Sequence, residues 1–344
     1  MKKMKTKNLF VIASLVLLSI CTSSAKEYNI KGGTKSFSQQ YKVSSPLNLA
    51  VSTNAGNISV AIQDDNSVDV SFIVTLQNKI LDITVDQLKE YADVEIINEN
   101  SRLEINVKKT LVKDICIGFS IKAPANVSST LKTNDGNINI TGITGKQKIN
   151  TYAGDISMEK IAGNIDVQVS GGNIRIGNST ANFVALTHGG NISLRDITGK
   201  LDVSTYGGNI TGVNISNGLL AETKGGDITL SNAQGAIDAT TAGGNIKLYE
   251  ISGSVKAISH AGNISANIIK LTDKLELATS AGSINAIIPS KLGLNLDLSA
   301  DNIDTPLLNF KGTAKKDRLI GQLNDGGIKV TISADAGDVV LNYK

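Results

Sequence analysis

The chain has 344 residues, 41% of them hydrophobic and 19% charged, with no tryptophan and only 4% aromatic residues. The apolar fraction can fill a core, which excludes a wholly disordered chain, and the scarcity of aromatic side chains leaves few stacking platforms for single-stranded nucleic acid. Four of the lysines that contribute to the formal charge of +3 lie in the first seven residues, so the remainder of the chain is nearly neutral. We therefore predict no nucleic-acid partner.

The N-terminus has the order of a secretory signal peptide. The four lysines precede an apolar run over residues 9–20, and the small residues Ser23, Ser24 and Ala25 follow. We predict a signal peptide of residues 1–25 and export to the periplasm, the cell surface or the medium. The apolar run is too short for a comfortable bilayer span, so we expect no transmembrane segment in the mature chain. A lipoprotein anchored at Cys21 is the alternative, and the bulky Ile20 before that cysteine argues against it.

Residues 26–135 are predicted to form a β-rich N-terminal region that caps the repeats after it. Strand-like segments lie at residues 47–51, 56–60, 68–74, 94–97 and 103–107, and residues 85–91 have a helical apolar rhythm. Cys116 falls in an apolar stretch and is expected to be a buried, inert thiol. With Cys21 in the signal peptide, no disulfide can form within the mature chain.

From Gly136 onward, glycine recurs at every ninth position. Thirteen of the fifteen positions from Gly136 to Gly262 are glycine, and every second one opens the tripeptide Gly-Asn/Asp-Ile. The repeating unit is therefore a pair of these nine-residue segments. The tripeptide turns begin at Gly154, Gly172, Gly190, Gly208, Gly226, Gly244 and Gly262. Because a small residue precedes each glycine, we predict a sharp turn in which glycine supplies a positive φ.

Between the turns, apolar and polar residues alternate, as in strands with one buried face. One inward column is Ile156, Ile174, Ile192, Ile210, Ile228, Ile246 and Ile264, and a second is Ile165, Phe183, Leu201, Leu219, Ile237, Val255 and Leu275. Two strands in each eighteen-residue unit predict an all-β fold: a two-sheeted, single-stranded β-helix, or β-solenoid, over residues 136–300. We expect a right-handed coil and, at about 4.8 Å per coil, a rod roughly 43 Å long.

Two polar columns are predicted to be structural. The Asn and Asp side chains of the turns should stack and meet the backbone groups of neighbouring coils. A threonine column is expected to stack on itself as a ladder; its members are Thr187, Thr205, Thr223, Thr241 and Thr279. Residues 301–344 break the period and are predicted to form a C-terminal cap with strands at 328–332 and 339–341.

No catalytic, metal-binding or cofactor-binding constellation emerges from the motifs. The period lacks the Gly-x-Asp pattern of calcium-binding repeats. His188 and His260 are four units apart, and Asp166, Asp202 and Asp238 follow each other at two-coil intervals, so neither set can share a metal ion or a proton. We therefore predict no enzyme, no metal site and no cofactor. A catalytic site in the end regions is the alternative.

Apolar residues in outward columns form the candidate site. Val184, Leu186, Leu220 and Ile258 stand where neighbouring coils carry polar residues, and Tyr206 lies near them. They predict an interaction strip on one sheet. A flanking segment or a second copy of the chain could cover the strip as well as an external ligand.

These features together resemble a known group of families. The Gly-Asn/Asp-Ile turns, the segments 56–60 and 68–70, the strand leading through Pro124 and the ending 327–341 are similar to the bacterial putative-adhesin families of β-strand-repeat domains of unknown function, which are related to head-GIN domains. The resemblance covers nearly all of the mature chain. It implies a helix of the pectate-lyase type without the catalytic residues, and it offers no functional residue to carry over.

The function expected is that of an exported, non-enzymatic cell-envelope protein, an adhesin or structural protein that binds an unknown protein or glycan. One alternative is a carbohydrate-binding or polysaccharide-degrading β-helix. It would need aromatic and acidic residues clustered on adjacent coils, which the columns lack. Another alternative is a periplasmic scaffold or sensor partner.

The inward isoleucine column can be tested directly. Replacing Ile192 with Asp would bury an unpaired charge, which is very costly, so the repeat region should unfold. Circular dichroism should show the loss of strand signal, whereas Ser193→Asp, on the outward column beside it, should melt near the wild-type temperature. An Ile192→Asp protein that keeps the wild-type melting temperature would contradict the assignment of this column to the core.

Overall fold

The computed structural model describes residues 36–344, so the predicted signal peptide and Cys21 lie outside the described residues. The described part of the chain is almost entirely strand, with one short helix, which confirms the all-β prediction. Within that part, no helix has the length and apolarity needed to cross a membrane.

The N-terminal part contains the helix and the first nine strands. They are β1 (Phe37–Lys42), β2 (Leu47–Ala55), β3 (Ile58–Ile62), β4 (Ser67–Leu76), β5 (Lys79–Ile80), α1 (Val85–Tyr91), β6 (Ala92–Glu99), β7 (Arg102–Thr110), β8 (Ile115–Ala123) and β9 (Val127–Asp135). Each strand segment predicted here overlaps an observed strand, and the helix has the predicted bounds. Thr84 and Gln87 start α1 with reciprocal side-chain to backbone hydrogen bonds, which satisfy free N–H groups of its first turn.

The repeats and the C-terminal part supply the remaining strands. The repeats contain β10 (Ile138–Thr141), β11 (Gln147–Ala153), β12 (Ile156–Glu159), β13 (Ala162–Val169), β14 (Ile174–Thr187), β15 (Ile192–Thr198), β16 (Leu201–Thr205), β17 (Ile210–Ser216), β18 (Leu219–Thr223), β19 (Ile228–Thr241), β20 (Ile246–Ser259), β21 (Ile264–Thr279) and β22 (Ile284–Ile288). The C-terminal part contains β23 (Leu294–Ser299), β24 (Asn302–Asp304), β25 (Phe310–Ala314), β26 (Arg318–Leu323), β27 (Ile328–Ala334) and β28 (Asp338–Tyr343). The last two strands contain the two segments predicted at this end.

The strands stack into two sheets that share one buried core. The first sheet has the order β1–β4–β8–β3–β10–β12–β14–β15–β17–β19–β20–β21–β22–β28–β24. The second has the order β6–β7–β2–β9–β11–β13–β14–β16–β18–β19–β20–β21–β27–β23–β26–β25. The long strands β14, β19, β20 and β21 turn a corner and contribute to both sheets.

Neighbouring strands of the repeats pair in parallel, with each residue beside the equivalent residue of the next unit. Ile174 pairs with Ile192 in the first sheet, and Phe183 pairs with Leu201 in the second. Equivalent residues therefore lie above one another, and both predicted inward columns are buried. The coil that follows Ile264 is longer, because β21 carries two extra residues, and Ile264 then pairs with Ile284.

The Asn and Asp side chains of the turns form the predicted ladder. The Oδ1 atom of Asn191 accepts a hydrogen bond of 2.8 Å from the backbone N–H of Asn209, one coil further on. The same bond recurs from Asn57 through Asn137, Asp155, Asn173, Asn191, Asn209, Asp227 and Asn245 to Asn263, which receives the N–H of Ser283. Arg175 hydrogen-bonds Asp155 at 2.9 Å and holds the pKa of that carboxyl below its ordinary value.

The buried threonines from Thr187 to Thr241 stack in register from coil to coil, as predicted, and their hydroxyls bond the turns. The Oγ1 atom of Thr223 donates to the carbonyl oxygen of Gly208 at 2.8 Å and accepts from the N–H of Gly226 at 3.2 Å. A buried hydroxyl needs partners, and the tight turns have backbone groups that no strand satisfies. Equivalent bonds are made by Thr187, Thr205, Thr241 and Ser259.

The turn glycines of the middle coils are required for space rather than for the positive φ that the sequence suggests. A Cβ atom on Gly190 would lie 2.0 Å from the carbonyl oxygen of Gly172 in the preceding coil. The left-handed backbone falls at another corner of the coil, where equivalent residues of successive units have φ between +47° and +56°. These residues are Lys160, Asn178, Asp196, Asn214, Asn232 and Glu250.

Both ends of the solenoid depart from chain order. The coil β2–β3 stacks on β9–β10, so that Ile58 lies beside Ile138. At the other end, β27–β28 enters between β21–β22 and β23–β24. Antiparallel pairs then cover the outermost coils: β4 with β8, β6 with β7, and β25 with β26. These pairs end the parallel ladder, whose exposed edge strands could otherwise pair with strands of another molecule.

Substitution of Thr223 tests the hydrogen bonds between the buried threonines and the turns. Valine keeps the shape but removes the hydroxyl, so the buried carbonyl of Gly208 and the amide of Gly226 lose a partner. We expect Thr223→Val to lower the free energy of unfolding by about 1–3 kcal/mol, measured by urea unfolding followed by circular dichroism. Thr223→Ser should retain most of the stability, because Ser259 makes the same bonds in its own coil. Equal stabilities of the two variants would refute a stabilising role for the hydroxyl.

Candidate interaction surface

The outward face of the second sheet presents one residue per coil in each column, because inward and outward side chains alternate along a strand. Val184, on β14, faces outward between its register partners Asp166 on β13 and Asp202 on β16. Its side chain is 54% exposed. An apolar side chain therefore stands in solvent between two carboxylates.

Four of the five predicted strip residues lie on three successive coils of the second sheet. Leu186 is half-buried on the same strand as Val184, and Leu220, 42% exposed, lies one coil beyond Asp202. Tyr206 is 47% exposed and follows β16 on the coil between them. We call Val184, Leu186, Tyr206 and Leu220 the apolar patch.

Ile258 is not part of the apolar patch. It is half-buried on β20 and stands in the column of Leu186, four coils further along. At the usual spacing of stacked strands, this places it about 19 Å from Leu186. Four of the predicted residues therefore lie within two coil spacings of one another, and Ile258 stands apart from them.

A cluster of three side chains borders the patch at the turn. The rings of His188 and Tyr206 meet edge to face, with centroids 4.8 Å apart, and the Nζ atom of Lys224 lies 4.2 Å from the centroid of the Tyr206 ring. The sequence placed these residues in one column with no fixed chemistry. The sequence signal for this cluster is that His188, Tyr206 and Lys224 follow one another at intervals of one repeat unit. This spacing puts the ring of Tyr206 between an imidazole and a cation.

A groove of about 480 Å³ lies on the other side of Val184. Lys146 and Lys200 line it together with Asp166 and Asp202. Charges of both signs therefore surround an apolar centre. Together with the patch, the groove gives this face an apolar surface with a polar rim, as protein-binding surfaces commonly have.

The titratable groups of this face are separated by the coil spacing. Asp202 and Asp238 are two coils apart with Leu220 between them. Asp238 forms an ion pair with Lys256 at 3.5 Å, and its other carboxylate oxygen is buried without a hydrogen-bond partner. Among residues 36–344, no three His, Cys, Asp or Glu side chains are grouped so that they could hold a metal ion.

Cys116 is exposed more than the sequence suggests. It lies on the outward face of β8, opposite Thr75 of β4, and is half-buried. The apolar stretch around it alternates, with Ile115 and Ile117 pointing into the core. The prediction of a buried thiol was wrong because it treated the stretch as continuous rather than two-faced.

The repeats have relatives among known families. Residues 181–342 match the family described as Toastrack DUF4097. This match confirms the resemblance to bacterial families of unknown function that the Gly-Asn/Asp-Ile turns predict. No curated protein matches the chain.

Two solved structures are similar to the chain at low identity. A putative adhesin from Bacteroides fragilis has 15% identity and a TM-score of 0.26, over 91% of this chain and 100% of that one. A putative cell adhesion protein from Clostridium sporogenes has 11% identity and a TM-score of 0.18, over 89% of this chain and 99% of that one.

Proposed function

We propose that the chain is an exported, non-enzymatic interaction protein of the bacterial cell envelope, of the adhesin type, built on a right-handed β-solenoid with one eighteen-residue unit per coil. The observation that carries the proposal is the apolar patch on the second sheet. Val184 and Leu220 occupy a column that neighbouring coils fill with Asp166, Asp202 and Asp238. Their exposure adds nothing to the core, so a binding role accounts for it best.

The shape of the face favours a protein partner. The patch lies on a sheet whose positions are fixed by the register, so its side chains are presented without a large ordering cost on binding. Tyr206 offers a broad ring at its edge, and tyrosine is among the residues that contribute most at protein interfaces. Lys224 and Glu222 would form part of the polar rim.

The absence of enzymatic activity is proposed from the spacing of the acids. Asp166, Asp202 and Asp238 are two coils apart, about 9.6 Å between successive members. Apolar Val184 and Leu220 separate them, so no carboxylate pair shares a proton or encloses a substrate. A saturable hydrolytic or lyase activity of the purified protein would overturn this part of the proposal.

The proposed location can be tested on intact cells of the source organism. If the rod is displayed at the surface, added protease should digest it on intact cells and on lysed cells alike, as followed with an antibody to the repeats. A cytoplasmic protein should stay intact in the same whole cells as a control. Protection until lysis would remove the adhesin role and favour an envelope partner inside the cell.

The apolar patch gives a second test. Replacing Val184, Leu186 and Leu220 together with Ser should reduce attachment of protein-coated beads to cells at least about tenfold, because a few central apolar residues dominate most interfaces. The control carries Ser at Val213, Tyr249 and Ile269, apolar residues exposed or half-buried elsewhere on the solenoid. Both variants should melt near the wild-type temperature. Equal attachment by the two variants would exclude the patch as the binding surface.

A further inference from the structure

The ladder of Asn and Asp side chains has a missing member at its N-terminal end. Along the ladder, the turn N–H of each coil is accepted by a side-chain oxygen of the coil before it, as Asn57 does for Asn137 at 2.8 Å. The coil before Asn57 is β8, whose residue at this position is Gly118, because Ile58 pairs with Phe119. Glycine has no side-chain oxygen that could accept that N–H. Asn57 is exposed, and among residues 36–344 no backbone or side-chain oxygen accepts its N–H, which is left to solvent or a ligand.

The backbone around Gly118 would accommodate the missing side chain. Gly118 is not in the left-handed region, and a Cβ atom placed on it would lie 3.6 Å from the nitrogen and 3.4 Å from the carbonyl oxygen of Asn57, which are ordinary contacts. An amide side chain at this position could thus reach the N–H of Asn57. The space that it would fill is bounded by the side chain of Ile73, whose Cγ1 atom would lie 3.8 Å from that Cβ.

That space belongs to a pocket of about 500 Å³ on the outward face of the first sheet, within the usual size of small-ligand sites. Ser71 and Ser120 are register partners on β4 and β8, and both line it. Ile73, 36% exposed, lies directly opposite Gly118 and supplies an apolar wall. Asp135, an acidic residue, also lines the pocket, so a neutral acceptor suits it better than an anion.

We propose that this pocket binds the acetamido group of an N-acetylated amino sugar. The acetamido carbonyl oxygen accepts the N–H of Asn57 in the place of the missing ladder side chain. The acetyl methyl packs against Ile73, and hydroxyls of the sugar bond the hydroxyls of Ser71 and Ser120. This site is on the first sheet and is independent of the apolar patch, so it extends the proposed function without resting on it.

The first experiment compares ligands on the full chain by saturation-transfer difference NMR. The disaccharide of N-acetylglucosamine should bind, with the strongest saturation on its acetyl methyl. The disaccharide of glucosamine, which lacks the acetyl group, should bind at least about tenfold more weakly, because it has no acetamido carbonyl oxygen to accept the Asn57 N–H. Equal binding of the two sugars, or no binding of the acetylated one, would overturn the proposal without any variant being made. So would binding of N-acetylasparagine methylamide in the absence of sugar binding.

The second experiment uses the pocket itself. Gly118→Asn should complete the ladder and occupy the pocket, so it should weaken binding of the acetylated disaccharide at least about tenfold. Gly118→Ala adds only a methyl group and leaves the Asn57 N–H free. Binding to the Ala variant should therefore change less than about threefold. Cys116 lines the same pocket, so the sugar should slow its alkylation by iodoacetamide in the wild type and the Ala variant but not in the Asn variant. Mass spectrometry of the peptide that contains Cys116 measures this rate. Binding that survives Gly118→Asn would overturn the proposal.

Discussion

The bond from a turn side chain to the backbone of the next coil is the interaction on which the rest of the structure depends. Because the Oδ1 atom of Asn191 accepts the N–H of Asn209, Ile192 must lie over Ile210. A slip of one residue would turn every inward side chain outward. The bond also requires successive turns to approach closely, which excludes a side chain at Gly190. The hydroxyls of the buried threonines then satisfy the backbone groups that this close approach leaves unpaired.

This bond does not require its two partners to be close in the chain. The arrangement of coils at the two ends of the solenoid follows from that. Asn57 joins the ladder below Asn137, although the two residues are far apart in the chain, and Ser283 passes the ladder on to Asp338 through its hydroxyl. A coil from either terminus can therefore occupy an interior place, provided that it carries a matching turn. The antiparallel strands outside these coils end the stack. The pocket on the first sheet opens where a glycine interrupts the ladder.

The outward positions of the second sheet need no matched side chains from coil to coil, unlike the turn positions and the inward columns. Asp166, Val184, Asp202 and Leu220 occupy equivalent places, yet the register pairs them without regard to their chemistry. Side chains that the fold does not need can vary between coils, so a binding surface can arise there without disturbing the core. The apolar patch and its neighbours His188 and Lys224 lie on such positions.

The repeat, its two strands per unit, the inward columns and the stacking of the turn Asn and Asp residues all follow from the amino-acid order alone. Periodicity reports which residues share an environment, because identical coils need identical chemistry at Ile192 and Ile210. It does not report which atoms bond, so the partners of Thr223 and the spatial reason for Gly190 become visible only in the folded chain. The places of β2–β3 and β27–β28 rest on contacts between residues far apart in the chain, which no local pattern records. The same holds for the pocket, since the lack of a side chain at Gly118 matters only because the fold sets that glycine beside the unpaired N–H of Asn57.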